Sequence, residues 1–149
     1  MKVIIQRVKS ASCSVFENGE YKKVSEISKG YMLLVSFTHS DTKDNVIKMA
    51  KKIVDLRIFN DEDGKMNLNI KQVNGSILSI SQFTLYANTQ KGNRPSFVDS
   101  MKPDEANKLY EFFNKTLNEL GIDTKPGVFG GDMLLDPLCD GPVTIEMEY

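Results

Sequence analysis

The heptapeptide YMLLVSF, at residues 31–37, is the sequence feature that most restricts what this chain can fold into. Ser36 is its only polar member, and the Lys29-Gly30 pair before it is a turn signal. A short, nearly continuous apolar run is typical of a strand buried on both faces, whereas a half-exposed strand alternates apolar and polar residues. The run therefore predicts a strand inside the core, covered on both sides.

Strand-like patterns occur before and after this run. We predict strands at residues 2–8, 12–16 and 21–27, with the Asn-Gly pair of ENGE (17–20) forming a hairpin turn. The segment NDEDGK (60–65) predicts another tight turn. The run SILSISQFTLYA (76–87) is the most strand-like in the chain, and the last strand follows the turn residues Asp-Gly-Pro at 140–142. So many short strands predict a mixed β-sheet.

Two helices are predicted among the strands. The first begins at Asp41 or Thr42, either of which can cap it, and helical spacing continues through Arg57. The second begins at Pro103 and stops at Gly121. Its buried stripe comprises Leu109, Tyr110, Phe113, Leu117 and Leu120. Together the elements predict one α/β domain over residues 1–149, with about two main helices.

Composition limits the class of function. At 149 residues and 40% apolar content, the chain is long enough for one real core. Its net charge of −1 argues against a protein that coats nucleic acid by charge alone, but it permits a local basic patch. Charged residues at positions 2, 7 and 9 argue against a secretory signal, and no apolar run approaches the roughly 20 residues that span a bilayer. We therefore expect a cytoplasmic protein with no membrane partner.

The supply of metal-binding and nucleophilic residues is small. His39 is the only histidine, and it lies in the loop-like segment FTHSDT. Cys13 and Cys139 are far apart and form no CxxC pair. A zinc site or a Ser-His-Asp triad would need His39 to serve alone. We predict neither a metal nor another cofactor.

Polar residues within the 76–87 run are the first candidates for a functional site. Alternation places Ser79, Ser81 and Phe83 on one face and Gln82 and Thr84 on the other. Buried hydroxyl and amide groups need hydrogen-bond partners. Those partners are either backbone groups in a tight core or a ligand at the end of the strand, and the pattern permits both.

Three further features have two interpretations each. Arg7 shares a face with Val3 and Ile5, so it either lies at a surface strand end or holds backbone carbonyls or a carboxylate. The loop at residues 88–100 contains Lys91 and Arg94, which suit either a solvated loop or contact with RNA phosphate. Residues 143–148 form a strand with one polar face, which either faces water or pairs with another subunit.

Several motifs in register resemble the D-aminoacyl-tRNA deacylases. They are SQFTLYA, KGNRPSF, FGGDM and DGPVT, together with the opening MKVIIQRVKSASC and the stretch DLRIFNDEDGKMNLNI. The similarity extends over essentially the whole chain. It implies mixed or antiparallel, barrel-like β-sheets, a homodimer with active sites at its interface, and no metal. It also implies hydrolysis of the ester that joins a D-amino acid, or glycine, to the 3′ end of tRNA.

The resemblance also implies roles for individual residues. The SQFTL segment would line the pocket at the scissile ester, which gives Ser81, Gln82, Phe83 and Thr84. The Gly-Pro bond would be cis, although an X-Pro bond is trans by default, and it would enter the partner's pocket to reject L-amino acids. The residues implied around that bond and around the terminal adenosine are Gly141, Pro142, Thr144, Arg7, Phe129 and Met133.

Two positions depart from the family pattern. Cys139 stands where the family usually has Asn, and Gly131 stands where it usually has Ala. A thiol is a poor substitute for an amide as a hydrogen-bonding group, so the start of the Gly-Pro segment needs another support. Alternative functions are a non-catalytic RNA-binding module or a general hydrolase of small esters, and Thr144 or Thr84 is an alternative nucleophile.

Overall fold

Eight strands and two α-helices make up this α/β fold. The computed structural model describes residues 1–149. Its two helices are α1 (Lys43–Asp55) and α2 (Pro103–Glu119). Its strands are β1 (Lys2–Glu17), β2 (Glu20–Ile27), β3 (Gly30–Ser36), β4 (Phe59–Asn60), β5 (Met66–Leu68), β6 (Ser76–Ser81), β7 (Thr124–Pro126) and β8 (Met133–Glu148).

The run at residues 31–37 forms the centre of the fold, as predicted. Its strand, β3, pairs antiparallel with β1 and parallel with β6. Tyr31, Leu33 and Val35 belong to the larger core cluster, which includes the buried faces of α1 and α2. Met32 belongs to a smaller cluster on the opposite face of the strand. Both faces of β3 are therefore covered by apolar side chains.

The two strands predicted at 2–8 and 12–16 are one strand, β1. It pairs with β3 through its first half, with β2 through its second half, and with β8 along nearly its whole length. The register against β8 shifts between Gln6 and Val8 and again between Val8 and Ser10. Such irregularities bend a strand, so β1 curls the six-stranded sheet into a nearly closed, barrel-like shape.

The predicted helix starts are confirmed. Thr42 caps α1, and its hydroxyl accepts a hydrogen bond from the backbone N–H of Asn45. Pro103 is the first residue of α2, and Gly121 follows its end with a φ of +88°. The helical spacing predicted through Arg57 extends too far, because α1 ends at Asp55. Neither α-helix has the length and hydrophobicity of a membrane-spanning segment.

The strand predicted over 76–87 is half as long as expected. It ends at Ser81, and residues 83–86 form a turn of 3₁₀ helix. The neighbouring strand β3 ends at Ser36, so nothing remains for residues 83–87 to pair with on that side. The N–H of Leu85 instead bonds the Gln82 carbonyl. The alternation predicted for Phe83 and Thr84 is therefore wrong, because side chains of a 3₁₀ turn do not alternate.

Candidate active site

A cavity of about 730 Å³ opens where β6 ends. Its walls come from four parts of the chain: the end of β3, the end of β6 with its turn, the segment leading into α2, and the segment leading into β8. Its lining is mostly apolar, with 11 hydrophobic residues of 20. A concave, largely apolar pocket with a few polar groups is the usual form of a small-ligand site. The polar lining residues are Ser36, Ser81, Gln82, Ser100, Lys102 and Asp132.

The end of β6 supplies three of the predicted site residues to this cavity. Ser81, Gln82 and Phe83 line it, whereas Thr84 does not. The Gln82 side-chain amide donates to the Thr84 hydroxyl at 2.5 Å. The Phe83 carbonyl accepts hydrogen bonds from the hydroxyls of Ser36, at 3.4 Å, and Ser100, at 3.0 Å. These bonds fix the turn that presents Ser81 and Gln82 to the cavity.

Two phenylalanines lie beside each other at the cavity. The rings of Phe83 and Phe97 pack edge to face with centroids 5.0 Å apart, and both are substantially exposed. Exposed aromatic faces are suited to stacking against an unpaired nucleobase. The sequence placed Phe97 in a long polar loop without bringing it to the site. The segment around it also contributes Val98, Ser100, Met101, Lys102, Pro103 and Ala106, none of which carried a sequence signal of a ligand site.

The FGGDM segment forms the opposite wall. Phe129, Gly131 and Met133 all line the cavity, so the structure brings Phe129 and Met133 together with the residues at the end of β6. An added Cβ at Gly131 would lie 3.1 Å from Val15 Cγ2, which is a close contact. The backbone of Gly131 does not have the positive φ that favours glycine. Alanine at this position would therefore require only a small adjustment of its neighbours.

Arg7 forms a second polar centre. It is only 6% exposed. Its Nη1 donates to the Ile58 carbonyl at 2.7 Å and to Asn60 Oδ1 at 3.3 Å, and its Nε donates to the Asp140 carbonyl at 3.0 Å. The Asp140 carboxylate lies 3.4 Å from the same Nε. Arg7 therefore does not lie at a surface strand end. Its guanidinium holds backbone carbonyls and a carboxylate, which was the other interpretation of this residue.

The Gly141–Pro142 peptide lies next to Arg7 and is cis. It is not a turn between elements, because β8 continues through it and pairs with β1 on both sides. Gly141 has a φ of +125°, and a Cβ there would meet Val143 Cγ2 at 2.8 Å and Arg7 Nη2 at 3.1 Å. Gly141 and Pro142 are exposed and do not line the cavity of their own chain.

The remaining predicted residues also lie outside the cavity. The Thr144 hydroxyl donates to Gln6 Oε1 at 2.6 Å on the exposed side of β8. Lys91 and Arg94 are exposed and form no side-chain hydrogen bond or ion pair within the chain. Cys139 is exposed, and its thiol has only a distant contact, 3.9 Å, with the Pro137 carbonyl. The structure therefore brings one subset of the predicted site together at the cavity. The predicted residues that it leaves on exposed surfaces are Lys91, Arg94, Gly141, Pro142 and Thr144.

Buried tyrosines lie beneath both centres. Burial raises the pKa of the Tyr31 phenol, and the nearby Arg7 charge opposes that rise. Burial also raises the pKa of Tyr110, whose hydroxyl donates to the Ser79 carbonyl at 2.6 Å. Both phenols are neutral hydrogen-bond donors at physiological pH. No group of three or more His, Cys, Asp or Glu residues is arranged to hold a metal ion.

The chain is similar to known proteins over nearly its whole length. The family model described as D-Tyr-tRNA(Tyr) deacylase matches residues 4–148. The chain belongs to this family. It is 54% identical over 148 residues to the D-aminoacyl-tRNA deacylase of Staphylococcus carnosus (strain TM300), covering 99% of this chain and 95% of that protein. It is 50% identical over 148 residues to the deacylase of Bacillus pumilus (strain SAFR-032), covering 99% and 98%.

Solved structures have the same fold. The c-Myc DNA Unwinding Element Binding Protein superposes with a TM-score of 0.91 at 37% identity, covering 100% of this chain and 99% of that one. A probable eukaryotic D-amino acid tRNA deacylase has a TM-score of 0.80 at 17% identity, covering 98% and 97%. With the family shown, the activity follows: this chain is a D-aminoacyl-tRNA deacylase, a hydrolase of the ester bond on tRNA.

Proposed function

We propose that this chain edits both D-aminoacyl-tRNA and glycyl-tRNA in the cytoplasm, and that it rejects L-aminoacyl-tRNA by means of the Gly141–Pro142 segment. The proposal rests on one observation: Ser81, Gln82 and Phe83 line the same cavity as Phe129 and Met133. The polar side chains of Ser81 and Gln82 line this cavity together with the exposed rings of Phe83 and Phe97. The arrangement suits an aminoacyl ester attached to a nucleoside.

The chemistry proposed at this site is positioning rather than nucleophilic attack by a side chain. An aminoacyl ester is already reactive, so the enzyme needs mainly to orient it and to stabilise the oxyanion of the tetrahedral intermediate. Backbone N–H groups near Phe83 and Thr84 are the proposed donors, and one such donor typically contributes about 10²–10³ in rate. Ser81 and Gln82 orient the ester, and the 2′-hydroxyl of the terminal ribose assists the attacking water.

Chiral selection is proposed to depend on a second subunit. Gly141 and Pro142 lie on the exposed side of β8, a 16-residue strand that is paired along one edge only. In this proposal two copies pair through this strand, and Gly141 and Pro142 of one copy enter the cavity of the other. Arg7 holds the carbonyl just before this segment, so the segment is rigid. A rigid backbone wall admits the D α-amino group and leaves no space for an L side chain.

Lys91 and Arg94 are proposed to contact the phosphates of the tRNA acceptor end. Their loop, residues 88–100, follows the turn after β6 and includes the cavity-lining Phe97, and both cations lack partners within the chain. Phosphate contacts position nucleic acid without reading its sequence. The loop would therefore guide any tRNA acceptor end toward the cavity, whatever amino acid it carries.

Ester loss from matched substrates tests the proposal. D-tyrosyl-tRNA, L-tyrosyl-tRNA, glycyl-tRNA and D-tyrosine ethyl ester are each incubated with the protein, and the remaining ester is measured over time. The proposal expects loss of the D-tyrosyl and glycyl esters from tRNA and retention of the L-tyrosyl ester. Binding of tRNA without ester loss would favour an RNA-binding module. Equal loss of the simple ester would favour a general esterase.

A further inference from the structure

Lys102 is the only basic residue among the 20 that line the cavity. It immediately precedes α2, and its side chain is exposed. The one other charged residue of the lining, Asp132, belongs to the opposite wall. Neither hydrolysis nor chiral selection, as proposed above, uses the Lys102 charge. Because walls of low polarity strengthen the field of a charge at a cleft, Lys102 makes its side of the cavity attractive to an anion.

The ammonium of Lys102 has no ion-pair partner within the chain. The ion pairs of the chain do not include Lys102, although Lys115 on the same helix pairs with Glu119. The acidic residues closest to it in sequence, Asp104 and Glu105, do not line the cavity. A lysine ammonium carries three N–H donors and no acceptor. Lys102 is therefore both accessible to a bound substrate and free to bind an anionic group on it.

The position of Lys102 on α2 indicates which part of the substrate it meets. The Ala106 N–H donates to the Lys102 carbonyl at 2.9 Å, so helical spacing already holds at Lys102. Ala106 also lines the cavity, and one turn further on the Tyr110 ring packs against Phe129 with centroids 5.9 Å apart. Residues four positions apart lie on the same side of a helix. Lys102 therefore lies on the side of α2 that meets the Phe129 wall.

We propose that Lys102 binds the phosphate that joins the terminal adenosine of the tRNA to the nucleotide before it. The inference rests on the proposed function, in which the cavity holds the aminoacyl ester and its terminal nucleoside. With the ester at Ser81 and the adenosine near Phe129, the 5′-phosphate of that nucleoside is the tRNA anion closest to the ester. Lys102 is the only cation in the cavity lining, whereas Lys91 and Arg94 lie outside it. Lys102 is thus a substrate-positioning residue.

The chemistry of this contact predicts which kinetic constant depends on it. The phosphate takes no part in ester hydrolysis, so its contact with Lys102 is the same in the ground state and the transition state. Loss of such uniform binding raises KM and leaves kcat unchanged. An exposed ion pair contributes up to about fivefold in an equilibrium constant, and added salt screens it.

The test changes one charge on the substrate and one on the protein. Natural D-tyrosyl-tRNA is compared with D-tyrosyl-tRNA in which the last internucleotide linkage is a neutral methylphosphonate, and kcat and KM are measured for both. The wild-type chain is expected to prefer the natural linkage by about fivefold in kcat/KM, through KM, and to lose this preference as KCl is raised. Lys102→Met is expected to bring the preference to about one, and Lys102→Arg is expected to keep it.

Two lysines outside the cavity serve as controls. Lys108→Met removes an exposed charge from the same helix, and Lys91→Met removes a charge proposed to contact other phosphates. Both controls are expected to keep the preference for the natural linkage. The inference is overturned if the wild-type chain hydrolyses both tRNAs with equal kcat/KM, or if Lys102→Met retains the preference. Failure of the wild-type chain to hydrolyse natural D-tyrosyl-tRNA would instead overturn the proposed function, and this inference with it.

Discussion

Arg7 illustrates at the residue scale how one side chain connects distant parts of this fold. Its guanidinium links strand β1 to the carbonyl of Ile58 and to the carbonyl of Asp140 in strand β8. Neither acceptor is close to it in sequence. Arginine suits this task because its planar fork donates in several fixed directions, whereas a lysine ammonium is a compact point charge on a flexible stem.

Replacement of Arg7 by lysine is expected to destabilise the fold. The buried Ile58 carbonyl would lose its 2.7 Å donor, and an unsatisfied buried group costs about 1–3 kcal/mol. Urea unfolding measures this loss, and deacylation of D-tyrosyl-tRNA should fall with it, since Asp140 is no longer held. Arg57→Lys is the matched control, because Arg57 bonds the Asn67 carbonyl on the surface. Equal loss of stability in the two variants would contradict this role for Arg7.

The two candidate nucleophiles make a separate residue-scale prediction. Neither Thr84 nor Thr144 lines the cavity, and each hydroxyl is engaged, with Gln82 and Gln6 respectively. Thr144→Ala and Thr84→Val are therefore expected to keep kcat for D-tyrosyl-tRNA within about tenfold, whereas loss of a true nucleophile costs roughly 10⁴–10⁶-fold. Single-turnover hydrolysis measures the difference. A loss of the larger size in either variant would restore the nucleophile mechanism.

At the scale of elements, strand ends decide where the site forms. Strand β6 stops at Ser81 because β3, its partner, stops at Ser36. The chain then turns, and the turn directs Gln82 and Phe83 into the cavity instead of along a sheet. The pairing of β3 with β6 depends on close approach of their backbones at Gly30, which lies opposite Ser76.

Alanine at Gly30 is expected to disrupt this pairing. An added Cβ would lie 1.8 Å from the Ser76 carbonyl oxygen, so the two strands would have to separate. Overpacking of this kind costs on the order of 3 kcal/mol. Gly131→Ala is the matched control, since the nearest contact of its added Cβ would be 3.1 Å. Thermal unfolding of both variants checks the prediction, which fails if Gly30→Ala is as stable as Gly131→Ala.

At the scale of the whole molecule, the unpaired edge of β8 is the surface through which we expect two copies of the chain to associate. The strand is 16 residues long, and its exposed side chains include Leu134 and Leu138. A long edge strand with exposed apolar residues is prone to pair with another chain. We expect the protein to sediment at twice its 16.8 kDa mass.

Leu138→Lys is expected to convert this dimer to a monomer and to reduce deacylation, because each cavity would lose the Gly141–Pro142 segment of its partner. Sedimentation and D-tyrosyl-tRNA hydrolysis are measured on the same samples. Val24→Lys, on the exposed face of β2, is the control and should leave both unchanged. A fully active monomer would contradict the two-subunit site.

The buried tyrosines predict how stability depends on pH. Burial raises the pKa of Tyr31 and Tyr110 above the ordinary value of 10.0. The folded chain therefore keeps these protons after the unfolded chain has lost them. Below pH 10 these groups should not change the free energy of unfolding. Above pH 10 each tyrosine should lower the free energy of unfolding by about 1.4 kcal/mol per pH unit. Urea unfolding between pH 8 and 11 measures the slope, which Tyr110→Phe should reduce.

Local patterns were enough to predict much of this fold. The apolar run at 31–37, the caps at Thr42 and Pro103 and the turn residues each depend on neighbours within a few positions, which the sequence displays directly. The family resemblance implied FGGDM and DGPVT as site segments, whereas local patterning marked the polar residues of SQFTL as candidates. Local patterning erred where the outcome depended on a distant partner, as in the joining of residues 2–8 and 12–16 into β1 and the early end of β6.

The sequence by itself determined the two helices, the central strand at 31–37 and the family. The tertiary structure alone decided which of the candidate residues meet. Ser81 and Phe129 line one cavity because β6 and the segment before β8 converge there, and Lys102 lines it because α2 begins beside them. The Asp140-Gly141-Pro142 turn became part of a continuous strand held by Arg7. Such contacts depend on long-range strand pairing, which no local periodicity encodes.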